Sequence, residues 1–339
     1  MRVVVAAPQV PFVRGGAEVM AEDLVAALRS RGHEAELVTM PFKWYPGTRV
    51  LDQAFLWRLV DLTESDGRPI DRVIATKFPA YCVRHPHKVV WVLHQFRQAY
   101  DYDRTELGQF SESPEDRAAR RAVERLDEVA LGEARRVFAT SRNVADRLER
   151  FNGIHADVLP HPPQALPYRT ADPEGFILSV NRLDRAKRVD LLIEAAKLDP
   201  SLRVVVVSDG PDRERLERLA SELDGQVEFT GRVDADRLAD LYARCAALYY
   251  APLDEDFGMA PFEAFLSAKP VVTTRDAGGP LEVVRDRETG LVVAPEPAEL
   301  ARACAYLLAH ADEARAWGAA GRAVAERVTW DACVDALLG

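Results

Sequence analysis

Residues 246–274 read Ala246-Ala-Leu-Tyr-Tyr-Ala-Pro-Leu-Asp-Glu-Asp-Phe-Gly-Met-Ala-Pro-Phe-Glu-Ala-Phe-Leu-Ser-Ala-Lys-Pro-Val-Val-Thr-Thr274. The apolar run 246–251, which ends at Pro252, predicts a buried strand, and 271–274 predicts a second one. Between them Phe262, Phe265 and Leu266 recur at helical spacing, and Pro261 suits the first turn of a helix. The stretch therefore predicts a strand, an acidic loop, a helix and a further strand, which is the repeating unit of a parallel α/β sheet.

Gly258 stands where the acidic loop enters this helix. A helix N-terminus presents unpaired backbone N–H groups and the positive end of the helix dipole, so it favours an anion. Glu255 precedes the helix and Glu263 lies in its first turns. Carboxylates are poorly suited to bind phosphate themselves, but they accept hydrogen bonds from hydroxyl groups. The pattern therefore predicts a phosphate site flanked by sugar hydroxyls.

The segment from Glu255 to Glu263 resembles the Glu-x7-Glu motif of the retaining GT-B glycosyltransferases of the GT4 family, in its Glu-Asp-Phe-Gly form. The preceding strand and the following Lys-Pro-Val-Val belong to the same likeness. The resemblance implies that Glu255 contacts the donor sugar and that Glu263 binds the ribose hydroxyls of a nucleotide. It also implies that Phe257, Gly258 and Met259 complete the donor site.

Size and composition are those of a globular protein with two domains. The chain has 339 residues, of which 48% are hydrophobic and 29% are charged. Its formal charge of -10 disfavours nucleic acid as a partner. The four cysteines show no metal-binding or redox spacing, which favours core thiols in a reducing compartment.

Targeting and membrane segments are not expected from the sequence. The first apolar run is too short for the core of a signal peptide and is followed by Pro8. No apolar run approaches the roughly 18 residues that a membrane-spanning helix needs. These observations predict a cytoplasmic protein.

Strands alternate with helices along the chain, which predicts an α/β protein with two doubly wound parallel sheets. Four prolines within residues 161–173 interrupt the alternation and indicate a linker. We therefore expect a first domain over residues 1–165, a second over 166–328 and a C-terminal helix over 329–339 that packs back toward the first. The resemblance implies the GT-B fold, in which two Rossmann-like domains face each other across a cleft. It places the acceptor mainly on the first domain and the nucleotide sugar mainly on the second.

Two loops of the first half carry candidate residues, because ligands of such sheets bind beyond the carboxyl ends of the strands. Gly15 and Gly16 stand at a helix entrance, where the missing side chains let a phosphate or sugar approach the backbone. The pair resembles the Gly-Gly-x-Glu that opens GT4 chains, and it lacks the dinucleotide-binding fingerprint. His94 ends a buried strand, and the resemblance implies that it contacts the donor sugar.

Three loops of the second half extend the candidate site. Arg182 and Lys187 lie in a segment that closely resembles the GT4 pattern Ser-x-x-Arg-Leu-x-x-x-Lys, and their charges suit a diphosphate. Gly210 lies in a Ser-Asp-Gly-Pro turn that resembles the family's Gly-x-Gly-Pro, with Asp209 in place of the first glycine. Arg232 lies in a loop that resembles the one meeting the nucleobase in the family.

Two other interpretations fit part of the sequence. Asp254-Glu-Asp256 matches the Asp-x-Asp triplet with which metal-dependent GT-A transferases hold Mn²⁺, although the same triplet recurs at Asp101 and Asp234 in this acidic chain. A nucleotide-sugar-binding or isomerising protein on the same fold, without transferase activity, is the second alternative. Detection of sugar transfer or donor hydrolysis distinguishes it from a transferase.

The resemblance implies a retaining glycosyltransferase that moves a sugar from a nucleotide diphosphate sugar to an acceptor hydroxyl, without a metal or other cofactor. The acceptor is expected to be a saccharide, a lipid-linked sugar or a small molecule, as in polysaccharide, glycolipid or natural-product glycosylation. A basic run between Asp116 and Arg136 is also typical of helices that contact membrane surfaces, but interspersed acidic residues favour a solvated helix. The sequence leaves open the donor sugar, the nucleoside and the acceptor.

Overall fold

The predicted alternation of strand and helix forms two parallel sheets in the computed structural model, which describes residues 1–223 and 225–339. The chain divides into two compact units. The first unit comprises Met1–His161 and Thr329–Gly339, and the second comprises Pro162–Val328. The division follows residue 161, whereas the sequence places the boundary after residue 165.

The first sheet has the strand order β2-β1-β5-β6-β7-β8, and its neighbours pair in parallel. The strands of this sheet are β1 (Arg2–Gln9), β2 (Glu34–Pro41), β5 (Arg72–Ala75), β6 (Lys88–Val92), β7 (Arg136–Ala139) and β8 (Asp157–Val158). A separate antiparallel hairpin consists of β3 (Glu64–Ser65) and β4 (Arg68–Pro69). The apolar runs Val3–Ala7 and Val89–Val92 are buried because helices cover both faces of a parallel sheet.

The helices of the first unit are α1 (Gly16–Ser30), α2 (Val50–Leu59), α3 (Pro114–Gly132), α4 (Arg142–Asn152) and α11 (Trp330–Leu338), the last of which is numbered by its place in the chain. One face of the sheet packs against α1 and α11, and the other packs against α2, α3 and α4.

The helix α11 packs beside α1, although some 300 residues of chain separate them. Cys333, Val334 and Leu337 are buried in the same apolar cluster as the inner face of α1. Arg31, just after α1, bonds to Asp331 and Asp335 at 3.2 and 2.7 Å. These contacts make residues 329–339 part of the core of the first unit.

A buried polar network lies between α3 and the loop that carries His94. The carboxylate of Asp127 accepts hydrogen bonds from the hydroxyls of Tyr81 and Tyr100, at 2.8 and 2.7 Å. Asn152 donates to the Tyr100 hydroxyl at 2.9 Å and accepts from Gln95, the residue after His94. Burial raises the pKa of Asp127 to about 7, although both tyrosine hydroxyls act in the opposite direction.

This raised pKa predicts a loss of stability as the pH increases. A carboxyl whose pKa is higher in the folded than in the unfolded state stabilises the fold fully below the unfolded value, and the stabilisation disappears as the pH rises through about 7. We expect wild type to lose about 2 kcal/mol more unfolding free energy than Asp127→Asn between pH 5 and pH 8, since one pKa unit corresponds to about 1.4 kcal/mol. Urea unfolding followed by tryptophan fluorescence measures the difference. Equal losses in the two proteins would contradict the assignment.

The second sheet has the strand order β11-β10-β9-β12-β13-β14, again with parallel neighbours. Its strands are β9 (Phe176–Val180), β10 (Arg203–Val207), β11 (Val227–Gly231), β12 (Ala247–Tyr249), β13 (Val271–Thr274) and β14 (Gly290–Val293). Its helices are α5 (Val189–Leu198), α6 (Arg213–Ala220), α7 (Ala235–Arg244), α8 (Met259–Leu266), α9 (Pro297–Ala309) and α10 (Ala311–Ala325). Thus α8 begins two residues before the predicted Pro261, which occupies its third position.

Short 3-10 helices complete the described structure, and they span Gly47–Arg49, Ala80–Cys82, Arg97–Ala99, Arg185–Lys187 and Gly279–Glu282. Among the helices described for the two units, none has both the length and the hydropathy to cross a bilayer.

Two glycines of α10 face α8 and the residue that follows Ser267. A Cβ atom at Gly318 would lie 2.0 Å from the Ala268 carbonyl oxygen, and one at Gly321 would lie 2.2 Å from the ring of Phe265. Both distances are shorter than any van der Waals contact, so only glycine fits at either position. The close packing fixes α8 against the body of the second unit.

Candidate functional site

The candidate site of the second unit lies at the carboxyl edge of its sheet. β9 and β12 are neighbours in that sheet, so the loops that follow them emerge side by side. The loop after β9 carries Arg182 and Lys187, and the loop after β12 carries Glu255 and Gly258. The parallel register thus explains how residues some 70 positions apart in the chain come together.

Arg188 fixes these loops to one another. Its Nε donates to the Ala251 carbonyl at 2.9 Å, and its Nη2 donates to the Pro252 carbonyl at 2.7 Å. Its guanidinium also bonds to both carboxylate oxygens of Asp276 at 2.8 Å, and to the Thr274 hydroxyl at 2.8 Å. The forked donors of one arginine therefore join the loops that follow β9, β12 and β13.

Sequence reasoning missed Arg188 and Asp276. Arg188 adopts a left-handed backbone conformation with φ of 49°, at the junction between the 3-10 helix and α5. Its partners lie 63 to 88 residues away, so no local pattern indicates its role. Arg188 also directly follows Lys187, in a segment whose cations the sequence associates with phosphate binding, so a structural role for it was not predicted.

We expect Arg188→Met to lower the unfolding free energy of the second unit by about 2–3 kcal/mol, because it removes hydrogen bonds to a charged group and leaves two carbonyls without their donor. Urea unfolding of the whole chain measures the loss. Arg218→Met is the control, since Arg218 is 72% exposed and its ion pair with Glu214 spans 3.7 Å. The control should change stability by under about 0.5 kcal/mol. A similarly small effect at Arg188 would contradict this role.

Lys187, Glu255 and Tyr250 form one charged cluster. The Lys187 ammonium pairs with the Glu255 carboxylate, which also accepts a hydrogen bond from the Tyr250 hydroxyl at 3.2 Å. Both charged side chains are largely sheltered, with 21% and 17% of their surfaces exposed. Burial opposes the positive charge of Lys187, but the Glu255 carboxylate and Tyr250 more than offset it and raise the Lys187 pKa. The ammonium is therefore charged throughout the physiological pH range.

The 3-10 helix places Lys187 in this cluster. Asp184 precedes that helix and its carboxylate accepts the backbone N–H of Lys187 at 3.3 Å. Burial raises the pKa of Asp184, although the charges of Lys187 and Arg182 lower it in part. Arg182 lies exposed in the same loop. The loop thus presents one fixed and one solvent-facing cation.

Gly258 caps α8 with a backbone that only glycine adopts readily. Its φ is 82°, and a Cβ there would lie 2.8 Å from the Tyr250 ring and 3.1 Å from Pro280. Met259 and Ala260 open the helix, so their N–H groups have no acceptor within it. These amides are therefore available to an anion, as the sequence predicts.

Phe257 contributes to the site through packing. Its ring is 9% exposed and stacks on Phe262, with ring centroids 5.0 Å apart. The stacking holds the turn that leads into α8.

Glu263 lies inside α8 and is 8% exposed. Its Oε2 accepts a hydrogen bond from the Tyr242 hydroxyl at 2.5 Å. Burial raises the Glu263 pKa, and the hydrogen bond from Tyr242 lowers it in part. Tyr242, on α7, is a further site residue that sequence reasoning missed, because its spacing is that of an ordinary core position.

Gly210 allows two loops to touch. A Cβ at this position would lie 2.2 Å from the Leu183 carbonyl oxygen. Leu183 N–H donates to the Asp209 carbonyl at 3.1 Å, and the Asp212 N–H donates to the Leu183 carbonyl at 3.0 Å. Counted along the motif, Ser208 and not Asp209 stands in the place of the family's first glycine, and its φ is 95°. The Asp209 side chain accepts the Gly210 N–H at 2.8 Å. Gly210 therefore supports the loop that carries Arg182.

Arg232 follows Gly231, whose φ is 71°, at the end of β11. Its side chain is exposed at the far edge of the sheet, two strands from β9. The structure thus brings Lys187, Glu255 and Gly258 into one cluster and leaves Arg232 outside it. The nucleobase contact implied for Arg232 remains a prediction.

In the first unit, the glycine pair opens α1 as predicted. Gly15 is the N-cap residue and Gly16 is the first helical residue. The Gly15 N–H donates to the Glu18 carboxylate at 2.9 Å, and Lys77 pairs with the same carboxylate at 3.3 Å. An internal carboxylate therefore already binds one amide of this helix entrance.

His94 follows β6 after one residue, at the carboxyl edge of the first sheet. Its Nδ1 contacts the Gln95 carbonyl at 2.7 Å, so Nδ1 carries the proton and Nε2 is the acceptor nitrogen of the neutral ring. Gln95 is 1% exposed and bonds to Asn152, which connects this loop to the Asp127 network. The histidine is thus held in one orientation.

Within the described residues, no group of three or more His, Cys, Asp or Glu side chains is arranged to hold a metal ion.

Comparison with known proteins places the second unit in a family. Residues 167–324 match the sequence model of the family described as Glycosyl transferases group 1. A GDP-mannose-dependent alpha-mannosyltransferase from Mycolicibacterium smegmatis is 33% identical over 175 residues, which are 50% of this chain and 44% of that protein. The chain thus spans less than half the length of the curated relatives that it matches first.

Solved structures resemble the chain over nearly its whole length. A sucrose-phosphate synthase from Thermosynechococcus elongatus matches with a TM-score of 0.76 and 19% identity, over 98% of this chain and 96% of that one. HepE from Anabaena, in complex with UDP and glucose, matches with a TM-score of 0.72 and 19% identity, over 100% and 99%. The predicted fold class, an α/β GT-B fold with two Rossmann-like domains, is confirmed.

Proposed function

We propose, given that residues 167–324 form a glycosyl transferases group 1 domain, that this chain is a glycosyltransferase that acts on a nucleotide diphosphate sugar. The family resemblance that residues 255–263 show is thereby confirmed. The observation that carries the proposal is the cluster of Lys187, Glu255 and Tyr250 beside the N-terminus of α8. It combines a permanent cation, open backbone amides and a sheltered carboxylate, which are the groups that a sugar diphosphate requires.

The phosphates are proposed to bind at the start of α8. The amides of Met259 and Ala260, the Lys187 ammonium and the exposed Arg182 guanidinium would all donate to phosphoryl oxygens. When the bond between the sugar and the phosphate breaks, the electron pair remains on the diphosphate and its negative charge grows. Donors already fixed in position stabilise that charge without further reorganisation.

Glu255 and Glu263 are proposed to bind hydroxyl groups on either side of the diphosphate. Glu255 would accept from the donor sugar while its partner Lys187 turns one of its three N–H groups to the phosphate. Glu263, the fifth of the eight residues of α8, would accept from the ribose. His94, in the first unit, would contact the donor sugar, as the family resemblance implies.

Retention of configuration is proposed to follow from attack on the same face that the diphosphate leaves. The bond from the anomeric carbon to the phosphate oxygen breaks first, which leaves an oxocarbenium-like sugar. The acceptor oxygen then forms a bond on that face, and its proton passes to the departing phosphate oxygen. This route needs no covalent carboxylate intermediate, so Glu255 and Glu263 keep their roles in binding hydroxyls.

We expect full activity in excess EDTA and a product with the anomeric configuration of the donor, because Lys187, Arg182 and the α8 amides would neutralise the diphosphate in place of Mg²⁺ or Mn²⁺. NMR coupling constants of the product report the configuration. Activity that EDTA abolishes and Mn²⁺ restores would favour metal binding at Asp254-Glu-Asp256. An inverted product would exclude the retaining mechanism.

The donor is best identified through hydrolysis, because slow hydrolysis needs no acceptor. A panel should include GDP-mannose, UDP-glucose and dTDP-glucose, since the curated relative uses GDP-mannose and the solved relative binds UDP and glucose. Hydrolysis of one donor would support the transferase. Binding of a nucleotide sugar without hydrolysis or transfer to any saccharide, lipid-linked or small-molecule acceptor would favour the binding or isomerising alternative.

A further inference from the structure

A cavity of the second unit lies at the edge of the sheet opposite the candidate site. Its volume is about 720 Å³. It is bounded by residues that precede β9, β12 and β13, by the C-terminal ends of α8 and α9, and by the first turns of α10. The side chains that matter below are Asp172, Ser267, Lys269, Leu307 and Arg315.

Lys269 is the main charge of this cavity, and it is only 6% exposed. Its ammonium has three N–H donors, and the structure assigns one of them to the Ala171 carbonyl at 2.9 Å. Burial lowers the Lys269 pKa and Arg315 lowers it further, while Cys245 and the Asp172 carboxylate raise it only in part. An anion bound in the cavity would compensate the cost of burying this charge.

Ser267 supplies an independent sign that a ligand belongs here. It follows the last residue of α8, is 0% exposed, and its hydroxyl has no hydrogen-bond partner among the residues that the structure describes. Buried hydroxyls normally find a partner, since leaving one unsatisfied costs about 1–3 kcal/mol. Ser267 and Lys269 are both among the residues that line the cavity. A ligand that accepts hydrogen bonds from both would satisfy each of them.

The charges and the volume of the cavity restrict the class of ligand that it can bind. Arg315, 61% exposed, lies on the cavity wall and pairs with Asp312 at 2.5 Å, while Asp172 provides the cavity's single carboxylate. The charged lining therefore comprises two cations and one anion. Leu307 and several alanine and proline residues form the remaining walls. The volume lies within the roughly 300–1,000 Å³ of small-molecule sites, well beyond what a bare phosphate ion fills.

We propose that this cavity binds the phosphate monoester of a small metabolite. The phosphoryl oxygens accept hydrogen bonds from the Lys269 ammonium and the Ser267 hydroxyl, and Arg315 lies at the opening. The organic part of the ligand lies against Leu307. The proposal goes beyond the donor site and does not depend on glycosyl transfer, because it concerns the opposite edge of the sheet.

The position of the cavity suggests a regulatory effect. Ser267 donates its backbone N–H to the Glu263 carbonyl at 3.3 Å. The cavity therefore adjoins the helix that carries Glu263, the residue proposed to bind the ribose. The eight residues of α8 span roughly 12 Å at 1.5 Å per residue. Lys269 also holds Ala171, in the proline-rich segment that follows the division between the units. A ligand on Lys269 would therefore act on both elements.

The test uses glucose 6-phosphate and inorganic phosphate as probes, at constant ionic strength, in calorimetric titrations of the full chain. We expect saturable binding of glucose 6-phosphate and weaker binding of inorganic phosphate. Hydrogen exchange locates the ligand, with expected protection at residues 169–176 and 267–270. Protection confined to residues 182–187 and 257–260 would show binding at the donor site alone and would overturn the proposal.

Variants identify the groups that bind. Lys269→Met should weaken the binding of glucose 6-phosphate by about tenfold or more, as expected for a charge-assisted contact of about 1.4 kcal/mol or more. Lys269→Arg should retain most of the affinity. Ser267→Ala should weaken it by about three- to tenfold. This variant loses no hydrogen bond that the structure shows, so it is expected to fold even where Lys269→Met does not. Lys197→Met, a change at a lysine of α5 paired with Glu194, is the matched control and should bind normally.

Two results would overturn the proposal. One is the absence of saturable binding by wild type up to tens of millimolar of either probe. The other is unchanged affinity in a folded Ser267→Ala together with unchanged affinity in Lys269→Met, or in Ser267→Ala alone where Lys269→Met does not fold. If inorganic phosphate binds as tightly as glucose 6-phosphate, the site recognises the free ion and the metabolite part of the proposal is wrong.

Discussion

Lys187→Met is expected to lower kcat by about 10²- to 10³-fold, the range seen when one donor that stabilises developing negative charge is removed. Lys187 is proposed to face the leaving diphosphate, whose charge grows as the sugar departs, so the loss should exceed any loss in ground-state binding. Its pKa lies above the ordinary lysine value because the Glu255 carboxylate and Tyr250 outweigh burial. The pH profile of the enzyme should therefore show no decline from Lys187 deprotonation below about pH 10.

The measurement is kcat at saturating concentration of the donor that wild type hydrolyses fastest. Lys187→Arg keeps the positive charge and should lose less activity than Lys187→Met. Lys197→Met serves as the control for removing a lysine from the same unit. A normal kcat in Lys187→Met would show that the ammonium only binds the substrate and does not act in the transition state.

Glu263→Ala is expected to weaken binding of the free nucleoside diphosphate by about 1.5–3 kcal/mol, the range for hydrogen bonds to a charged group. A carboxylate accepts from two neighbouring hydroxyls at once, which suits the ribose. Because burial raises the Glu263 pKa, protonation should reduce the affinity at a higher pH than for an ordinary glutamate. Calorimetric titration of the nucleotide from pH 5 to pH 8 measures both effects.

Two controls separate the ribose contact from general damage. Tyr242→Phe removes the hydroxyl that donates to Glu263 at 2.5 Å but keeps the carboxylate, and it should cost less than about 1 kcal/mol of affinity. His94→Ala should leave nucleotide affinity unchanged, since His94 is proposed to contact the sugar. If His94→Ala weakens nucleotide binding as much as Glu263→Ala does, the proposed contact of the His94 loop with the sugar is wrong.

The fold could be predicted because its determinants are local in the sequence. Apolar runs such as Val3–Ala7 lie on a sheet covered on both faces, and Ser141 and Asp234 cap the helices that follow them. The boundary of α8 was less predictable, because Pro261 is compatible with several positions in a first turn.

The candidate site could be predicted where a motif fixes a backbone shape, as at Gly258 and Gly210. It could not be predicted where partners meet only through the fold. Lys187 and Glu255 are 68 residues apart, so their pairing follows from the neighbouring strands β9 and β12. Arg188 and Tyr242 resemble ordinary helix-start and core residues until their distant partners are known.

The place of α11 in the first unit has a consequence for biosynthesis. Residues 329–339 leave the ribosome after the whole second unit, yet Cys333, Val334 and Leu337 belong to the apolar core of the first. The unit that is synthesised first therefore completes its core last, and the part of that apolar cluster that α11 covers stays exposed until then. The nascent first unit is accordingly the part of the chain in which chaperone binding and aggregation should concentrate.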